Sequence, residues 1–327
     1  MGIYTMEFLV FSDVHYYTNP SKSRLLSDGT YSWLNKQIEI TNDICTYAEQ
    51  HNINLIIHNG DLFEEKNRIN VELYNRIWEF YRQLSKRFDI IFNMGNHDLY
   101  SLKDSSLKPF SDIVRLIEEP SSLIIEDYLL HFIPFGQVQS NLPLPKSSCK
   151  RNLLFLHEEI AGLKFGSTDH SSSSPINYSL LKEWDWVFNG HIHRPQNFAN
   201  IINIGSPMIQ DWGETGELKR FIHFDNGKIN SIDIDCPKFI TLSSLSEIDT
   251  INDTDYFRII ISPEEADHEI FRLYNVFPNI IKSRKRSQRL KESSSSIEED
   301  IGEYINLKAP ETLDKKRLLE IGLSFLK

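Results

Sequence analysis

Carboxylate, amide and imidazole side chains follow five short apolar runs that are typical of β-strands. The segments that carry them are Ser12–His15 (SDVH), Asn59–Asp61 (NGD), Gly95–Asp98 (GNHD), His157–Glu158 (HE) and Gly190–His193 (GHIH). All of these side chains bind metal ions or carry protons. In D-x-H and H-x-H the first and third side chains lie on the same side of an extended chain, so each pair is predicted to chelate.

The predicted ligands form a mixed oxygen and nitrogen set without sulfur: Asp13, His15, Asp61, Asn96, His157, His191 and His193. Such a set suits Mn²⁺, Fe²⁺ or Zn²⁺ better than Cu⁺, and its imidazoles argue against Ca²⁺ or Mg²⁺. These ligands are too many for one tetrahedral ion, whereas with Asp61 as a bridge they divide between two ions about 3.5–4 Å apart. A pair of this kind clamps a phosphoryl group and lowers the pKa of bound water.

Strands are predicted immediately before these segments, at 7–11, 54–58, 89–92, 152–156 and 185–188. Helices are predicted at Asn35–Gln50, Ile69–Arg87 and Pro109–Ile117, and a hairpin at 221–235 turns at Asp225–Gly227. Ligands of α/β sheets collect at the carboxyl ends of the strands. We therefore expect the five segments to converge at one edge of a large mixed α/β sheet or pair of sheets.

The pattern restarts after Pro237 with a predicted strand at 256–262 and a predicted helix from Pro263 to about Val276. The following segment is rich in serine and charge, which is typical of a linker, and residues 311–327 predict a closing helix. The predicted organisation is a main domain at 1–236, a small domain at 237–286, a linker at 287–310 and a terminal helix at 311–327.

Composition is that of an ordinary folded protein: 327 residues, 40% of them hydrophobic and 25% charged. No apolar run approaches the roughly 18 residues that a membrane span needs. The three cysteines are far apart and fit neither a disulfide framework nor a zinc ribbon, which predicts a reducing, cytoplasmic location. The net charge of −11 argues against a protein that coats nucleic acid but not against an enzyme that grips it locally.

The order D-x-H, G-D, G-N-H-D, H and G-H-x-H resembles the calcineurin-like metallophosphoesterase superfamily. More narrowly, the segments GDLF, LFLHEEI, GHIHRPQ and NIGSPMIQDWGE resemble SbcD-type double-strand-break repair nucleases, a group that includes bacteriophage recombination endonuclease subunits. The resemblance runs from about Glu7 to Asp235 and is only architectural beyond it.

This resemblance implies a four-layer α/β/β/α sandwich followed by a small α/β DNA-capping domain and a C-terminal helix. It also implies two Mn²⁺ ions. One would be held by Asp13, His15, Asp61 and His193, and the other by Asp61, Asn96, His157 and His191.

The same resemblance assigns His97 as the acid that protonates the leaving oxygen, with Asp98 orienting His97 and favouring its charged form. The chain departs from the pattern at one position. Some relatives carry a histidine directly after GDLF, whereas Glu64 stands there in this sequence, so a second acid is not expected.

The resulting expectation is a manganese-dependent DNA exonuclease or endonuclease that works with an SbcC-type coiled-coil ATPase in recombination and repair. A protein serine/threonine phosphatase would show G-D-x-V-D-R-G and G-N-H-E, which this chain lacks. Two alternatives stay open: a phosphodiesterase acting on a small molecule or nucleotide, and an inactive scaffold that anchors an ATPase. Mg²⁺, Fe²⁺ or Zn²⁺ could replace Mn²⁺.

Two segments predict contacts with macromolecules. The run KSRKRSQRLK offers Lys282, Arg284, Lys285 and Arg286 for DNA phosphates, and its alternative is a solvated linker. The segment TLDKKRLLEIGLSFLK, with Thr312 as its cap, predicts a helix that docks on the ATPase or folds back on the core.

The predicted helix Ile69–Arg87 has two adjoining apolar stripes, one from Ile69 to Leu84 and one containing Val71, Tyr74, Trp78 and Tyr81. Together they exceed the roughly 100° arc that packing on one core requires. This width predicts a homodimer interface. The alternative is a helix held between its own sheet and a loop.

Overall fold

The computed structural model describes residues 6–101, 104–138, 142, 145, 148–168, 170–281, 297–310 and 313–324. A larger unit ends at Asn279 and a smaller unit begins at Ile280. The strands are β1 (Glu7–Phe11), β2 (Leu55–His58), β3 (Asp89–Asn93), β4 (Arg115–Ile117), β5 (Ser121–Ile125), β6 (Tyr128–Ile133), β7 (Arg151–His157), β8 (Trp186–Gly190), β9 (Gln196–Phe198), β10 (Ile201–Asn203), β11 (Arg220–Asp225), β12 (Lys228–Asp233), β13 (Phe239–Leu242), β14 (Tyr256–Ile261) and β15 (Val276–Ile280). The helices are α1 (Ser32–Gln50), α2 (Val71–Leu84), α3 (Tyr178–Leu181), α4 (Ile297–Lys308) and α5 (Lys315–Ser324).

Two six-stranded sheets build the larger unit, in the orders β12-β11-β1-β2-β3-β4 and β5-β6-β7-β8-β10-β9. In the first sheet β1, β2 and β3 are parallel neighbours, and in the second β7 and β8 are parallel neighbours. The carboxyl ends of β1, β2 and β3 therefore share one edge of the first sheet, and those of β7 and β8 share one edge of the second. All five strands lie where the apolar runs predicted them, within one or two residues at their ends.

An aromatic core joins the two sheets. The Phe8 ring of the first sheet contacts the Phe155 and Phe188 rings of the second sheet, with ring centroids 5.7 and 5.6 Å apart. These rings are fully buried, and burying a side chain of this size stabilises a fold by roughly 1.5–3 kcal/mol. The sheets consequently face each other across an apolar interior, which fixes the strand ends of one sheet relative to those of the other.

Helices α1 and α2 pack their apolar faces on a second core cluster, which includes first-sheet residues such as Leu9 and Ile56. On the side of the second sheet, the short helix α3 supplies the buried Leu181 and the partly buried Leu180 to a third cluster, together with loop residues such as Ile160. The mixed α/β architecture with paired sheets is confirmed, although helices contribute little to the layer over the second sheet.

Three side chains of the second apolar stripe of α2 contact other parts of the chain, whereas Val71 is 74% exposed. Tyr74 donates a hydrogen bond to the carbonyl of Ser106 at 2.9 Å, and Trp78 donates to the carbonyl of Pro109 at 3.1 Å. Tyr81 is fully buried and contacts the Phe110 ring. Contacts with the 105–112 segment therefore account for most of the apolar width of α2. The homodimer stays a prediction, and the width of the apolar stripe no longer supports it.

Two predicted helices are wrong. In the segment 109–117 a 3-10 turn at Lys108–Asp112 leads into β4, because Arg115–Ile117 pairs with Ile91–Asn93 of β3. In the segment 263–276 two 3-10 turns, Pro263–Glu265 and Glu269–Arg272, precede β15. In both cases pairing with a neighbouring strand outweighs a local pattern that also fits a helix.

The predicted small domain contains a three-stranded sheet, β13-β14-β15. It packs on the main body through aromatic side chains, since Trp33 contacts Phe239 at 6.3 Å and Tyr256 at 5.4 Å between ring centroids. Trp212 contacts the Phe239 ring at 4.7 Å. The small sheet therefore belongs to the larger unit.

The smaller unit contains two helices that pack on each other, with Gly302 near Leu319 and Gly322 near Ile301. Helix α4 lies in the range 287–310 that the sequence predicts as a linker, so the second half of that prediction differs from the structure. Helix α5 occupies the middle of the predicted terminal helix. Its cap is Asp314, which accepts hydrogen bonds from the backbone N–H of Lys316 and Arg317.

None of the helices in the described part of the chain has the length and apolar character that crossing a bilayer requires. The cytoplasmic location stays a prediction.

Candidate metal centre

The five predicted segments meet at the carboxyl ends of β1, β2, β3, β7 and β8. Asp13, His15 and His193 offer ligand atoms that all lie within 4.8 Å of one another, and Asp61, His157 and His191 form a second such group. The histidines of the H-x-H motif thus fall into different groups. The expectation that this pair chelates one ion from an extended chain is wrong, because His191 has a φ of 77° and turns the chain.

Asp61 lies between the two groups. Its Oδ2 is 3.5 Å from Nε2 of His15 and 3.2 Å from Nε2 of His157. Asp13 takes a similar position, with Oδ1 4.0 Å from the His15 nitrogen and 3.7 Å from the His157 nitrogen. A carboxylate shared in this way is what a bridge between two ions needs.

The remaining predicted ligand, Asn96, belongs to the second group. Its Oδ1 lies 2.7 Å from Nδ1 of His191, and the backbone N–H of His191 donates to Asp13 at 3.0 Å. The structure therefore brings all seven predicted ligands together in the two sets that the sequence resemblance implies.

Three imidazoles have their ring orientation set by an acceptor behind them. Nδ1 of His157 lies 2.7 Å from the carbonyl of Asn59, and Nδ1 of His193 lies 2.7 Å from Oε1 of Glu214. Nδ1 of His15 lies 2.8 Å from Oε2 of Glu64. Because a carbonyl or carboxylate oxygen only accepts, each neutral ring carries its proton on Nδ1 and presents a lone pair on Nε2.

Those lone pairs face one another and the carboxylates. Nε2 of His15 lies 3.1 Å from Nε2 of His193. Nε2 of His157 is fully buried without a hydrogen-bond donor and points at two carboxylates. Acceptors packed against acceptors are stable only with a cation between them. The residues present therefore fit divalent metal ions.

The charges of the site lead to the same conclusion. Burial lowers the pKa of His157, but the carboxylates of Asp61 and Asp13 outweigh it and raise the pKa to about 10. For His15 burial is outweighed by Glu64 and Asp61, and the pKa rises to about 9. Burial also opposes ionisation of Asp61, yet His157 and His15 bring its pKa below the ordinary value. The cluster thus attracts positive charge, which protons or metal ions supply in competition.

Four of the predicted ligands have a left-handed backbone: Asp13 (φ 57°), His15 (φ 51°), Asp61 (φ 58°) and His191 (φ 77°). For residues other than glycine this conformation costs on the order of 1–3 kcal/mol each and is concentrated at functional sites. The turns aim side chains from the strand ends into one space, and the surrounding fold holds them there.

Two glycines allow the strand ends to approach. A Cβ at Gly60 would overlap the His157 ring, and a Cβ at Gly95 would overlap the Asp61 carboxylate. Gly60 also has a φ of 105°, which other residues rarely adopt. The G-D and G-N-H-D motifs therefore require their glycines for space as well as for the turn.

His97 sits beside the first group, with its ring centroid 4.7 Å from that of His15. Its backbone N–H donates to Oδ1 of Asp61 at 2.7 Å, and its Nδ1 lies 2.6 Å from the carbonyl of Glu64. This carbonyl, not Asp98, orients the imidazole. Nε2 is thereby left for proton transfer, as the predicted acid requires.

Asp98 has a different task from the one expected. Its buried carboxylate accepts hydrogen bonds from the backbone N–H of Asp61 at 2.9 Å, Leu62 at 2.9 Å and Gly95 at 2.8 Å. It ties the G-D turn to the G-N-H-D turn instead of contacting the acid. Burial and the neighbouring Asp61 raise the pKa of Asp98 to about 7.

Sequence reasoning assigned nothing to Glu214 and Lys219. Nζ of the buried Lys219 lies 2.7 Å from Oε2 of Glu214, whose other oxygen holds His193. Burial opposes ionisation of Glu214, but His193 and Lys219 lower its pKa to about 2. The available signal was the segment NIGSPMIQDWGE, which the resemblance singled out as a whole.

The proposed DNA contacts Lys282, Arg284, Lys285 and Arg286 lie outside the described residues. So does Thr312, the predicted helix cap.

Residues 6–195 match the family description "Calcineurin-like phosphoesterase". This chain belongs to that family. The match covers all five motifs and extends past His193, so the convergence of ligands described above is the family's metal-binding region. Its members bind a dimetal centre and hydrolyse phosphoesters.

Two curated relatives are viral. The putative phosphoesterase 078R of Invertebrate iridescent virus 3 is 25% identical over 190 residues, which cover 53% of each chain. Exonuclease subunit 1 of Enterobacteria phage T4 is 22% identical over 208 residues, which cover 58% of each chain. The matched region thus spans little more than half the length of these relatives.

Among solved structures, a dimetal phosphatase from Danio rerio covers 70% of this chain and 99% of its own length. It shares 11% sequence identity at a TM-score of 0.41, which is too low to support an argument about function.

Proposed function

We propose that this chain is a DNA nuclease of the SbcD type that hydrolyses phosphodiester bonds with two Mn²⁺ ions. The observation that carries the proposal is the arrangement of two ligand groups around Asp61 with His97 beside them. The likeness to exonuclease subunit 1 of phage T4 supports a nuclease activity and an assembly of more than one subunit. The alternative with the next strongest support is a phosphodiesterase for small substrates, since the other viral relative is described only as a phosphoesterase.

In this proposal a bound metal pair would polarise the phosphodiester and lower the pKa of water at the centre. The chain's own groups fix where this happens. Glu64, Asn59 and Glu214 hold the three imidazole rings so that their Nε2 atoms converge. The same centre would be held by residues that follow strands of both sheets.

His97 would donate a proton to the leaving oxygen from Nε2, because Nδ1 is engaged by the carbonyl of Glu64. Asp61 positions His97 through the backbone N–H, and Asp98 in turn positions Asp61. General acid catalysis of this kind contributes typically 10²–10⁴-fold in rate.

The test is a nuclease assay with purified chain on linear duplex DNA and on bis-p-nitrophenyl phosphate, each with Mn²⁺, Mg²⁺ or Zn²⁺. We expect Mn²⁺-dependent cleavage of DNA. His97→Ala should lose roughly 10²–10⁴-fold in rate while calorimetric titration still finds both Mn²⁺ ions, because His97 is an acid and not a ligand. His191→Ala is the matched variant that should lose metal as well as activity.

The outcomes separate the alternatives. Cleavage of the small ester without cleavage of DNA would favour the small-molecule phosphodiesterase. Two bound ions without any hydrolysis would favour a scaffold that anchors an ATPase. Loss of Mn²⁺ binding in His97→Ala would contradict the role of this residue.

We further propose that the smaller unit docks on an SbcC-type coiled-coil ATPase. Helices α4 and α5 pack on each other and leave apolar side chains exposed, among them Tyr304 (59%) and Ile321 (48%). Deleting residues 297–327 should retain Mn²⁺-dependent cleavage but abolish co-purification with the ATPase and ATP-stimulated cleavage of duplex ends. Loss of basal cleavage would instead place these helices in the core of the enzyme.

The remaining proposals concern the small sheet and the oligomeric state. The β13-β14-β15 sheet would cap bound DNA, with Lys282 to Arg286 on phosphates, and the chain would form a homodimer in the cytoplasm. Light scattering at micromolar concentration tests the dimer, and a monomer would contradict it.

A further inference from the structure

Glu64 contacts two histidines of the site through two different atoms. Its side-chain Oε2 lies 2.8 Å from Nδ1 of His15, and its main-chain carbonyl lies 2.6 Å from Nδ1 of His97. It stands directly after the GDLF motif, at the position where some relatives carry a histidine. Glu64 therefore contacts both a predicted metal ligand, His15, and the proposed acid, His97. A glutamate at this position is not part of the family pattern.

The side-chain contact determines which nitrogen of His15 faces the centre. An ionised carboxylate 2.8 Å from Nδ1 stabilises the proton of the His15 ring on that nitrogen, which leaves the lone pair on Nε2. Nε2 then lies 3.5 Å from Oδ2 of Asp61 and 3.1 Å from Nε2 of His193. Without Glu64 the ring would be free to carry its proton on Nε2, where that proton would compete with a metal ion.

The partner of His15 also differs in charge from the partner of His157. His157 is held by the neutral carbonyl of Asn59, whereas His15 is held by a carboxylate. A carboxylate raises the basicity of the imidazole more than a carbonyl does, and partners of this kind typically change metal affinity 10–100-fold. Glu64 therefore affects the strength of one ion's site as well as its geometry.

We propose that Glu64 is a positioning residue that selects the Nδ1–H form of His15 and strengthens binding of the ion held by Asp13, His15, Asp61 and His193. This inference rests on the two-metal site of the proposed function but not on DNA as the substrate. Since the His97 contact uses the main-chain carbonyl, replacing the Glu64 side chain removes the His15 contact selectively.

Glu64 can be replaced without opening the core, because its side chain is 46% exposed. Glu64→Ala removes both the acceptor and the charge, while Glu64→Gln keeps an acceptor oxygen and removes the charge. Glu65→Ala is the matched control, since Glu65 is the exposed neighbour with the same charge. Calorimetric titration with Mn²⁺ in the absence of DNA gives the affinities.

In Glu64→Ala we expect one of the two Mn²⁺ dissociation constants to rise about ten-fold or more while the other changes less than about three-fold. Glu64→Gln should lie between Glu64→Ala and the wild type, and Glu65→Ala should match the wild type. Dissociation constants within about three-fold of wild type in Glu64→Ala would overturn the proposal. So would a wild-type chain that binds no Mn²⁺.

A spectroscopic readout separates positioning from general destabilisation. In ¹H–¹⁵N spectra of the Zn²⁺-loaded chain, His15 should show a protonated Nδ1 in the wild type and in Glu65→Ala. In Glu64→Ala the Nδ1–H signal should be lost or shifted. An unchanged signal would contradict the proposal. If both ions bind to the wild type but no phosphodiester is cleaved, the proposed function fails while these readouts still decide the role of Glu64.

Discussion

Replacing the buried Lys219 with methionine is expected to destabilise the larger unit strongly. The lysine is 1% exposed, and its Nζ lies 2.7 Å from a carboxylate oxygen of Glu214 and 2.8 Å from one of Glu217. It also donates to Oγ of Ser206 at 3.0 Å and to the carbonyl of His193 at 3.1 Å. Methionine fills a similar volume but supplies neither the charge nor the donors.

The magnitude follows from the charges that remain. Removing one partner of a buried ion pair costs about 3–5 kcal/mol, since the other partner is left uncompensated. Glu217 relieves part of this by taking up a proton, because burial already raises its pKa. Glu214 relieves less, because its contact with Nδ1 of His193 favours the ionised form. We therefore expect a loss at the single-pair value of about 3–5 kcal/mol in the free energy of unfolding.

The assay is urea unfolding of the metal-free chain, followed by tryptophan fluorescence. With a slope of about 3 kcal/mol per molar urea, the loss lowers the midpoint by roughly 1–1.7 M. Lys36→Met is the control, because Lys36 forms an exposed i,i+3 pair with Glu39 at 2.9 Å. Such pairs contribute about 0–1 kcal/mol, so its midpoint should stay within about 0.3 M of wild type.

A rescue variant tests the physical reason. Combining Lys219→Met with Glu214→Gln and Glu217→Gln removes all three charges, so much of the lost stability should return. A Lys219→Met midpoint within about 0.3 M of wild type would refute the reasoning. A triple variant that is less stable than Lys219→Met would show that hydrogen bonds rather than uncompensated charge dominate.

Two further predictions concern the turns of the metal centre. Gly60→Ala should abolish binding of the ion that His157 would hold, because the new Cβ overlaps the His157 ring. Calorimetric titration with Mn²⁺ measures this, and Gly136→Ala is the control, since Gly136 also has a positive φ (75°) but has open space around it. Two ions bound to Gly60→Ala would contradict the predicted overlap. Asp98→Asn should destabilise the metal-free chain by about 1–3 kcal/mol in urea unfolding, because an amide oxygen cannot accept all three backbone N–H groups. The exposed Asp104→Asn is its control, and equal midpoints would show that Asp98 is not needed to join the turns.

The positions of the ligands could be predicted because they depend on two simple regularities. Apolar runs such as EFLVF and DIIF form strands, and the strands of a βαβ pattern are parallel, so their carboxyl ends share an edge. This reasoning placed Asp13, Asp61 and Asn96 near one another without any knowledge of the loops between them. The prediction for the histidines also assumed that β7 and β8 end beside β1, β2 and β3. The apolar core between the two sheets places these strand ends together.

The groups that hold the ligands could not be predicted in the same way. Three residues contact the histidine ligands from far along the chain: Glu64 is 49 residues from His15, Asn59 is 98 residues from His157, and Glu214 is 21 residues from His193. No local sequence pattern encodes contacts over such separations. The left-handed conformation of His15 and His191 is likewise imposed by the fold. The helix predictions for the segments 109–117 and 263–276 were wrong for a related reason. The local pattern fits both a helix and a strand, and pairing with a neighbouring strand decides between them.

Both ligand groups take residues from both sheets. Asp13 and His15 follow β1 of the first sheet, whereas His193 follows β8 of the second. In the other group Asp61 follows β2, and His157 and His191 end or follow strands of the second sheet. Each ion would therefore connect the two layers, and a change in how the sheets pack would alter both ion sites together. Because Phe8 of the first sheet holds this packing through its contacts with Phe155 and Phe188 of the second, the arrangement of the ligands depends on core residues as much as on the ligands themselves.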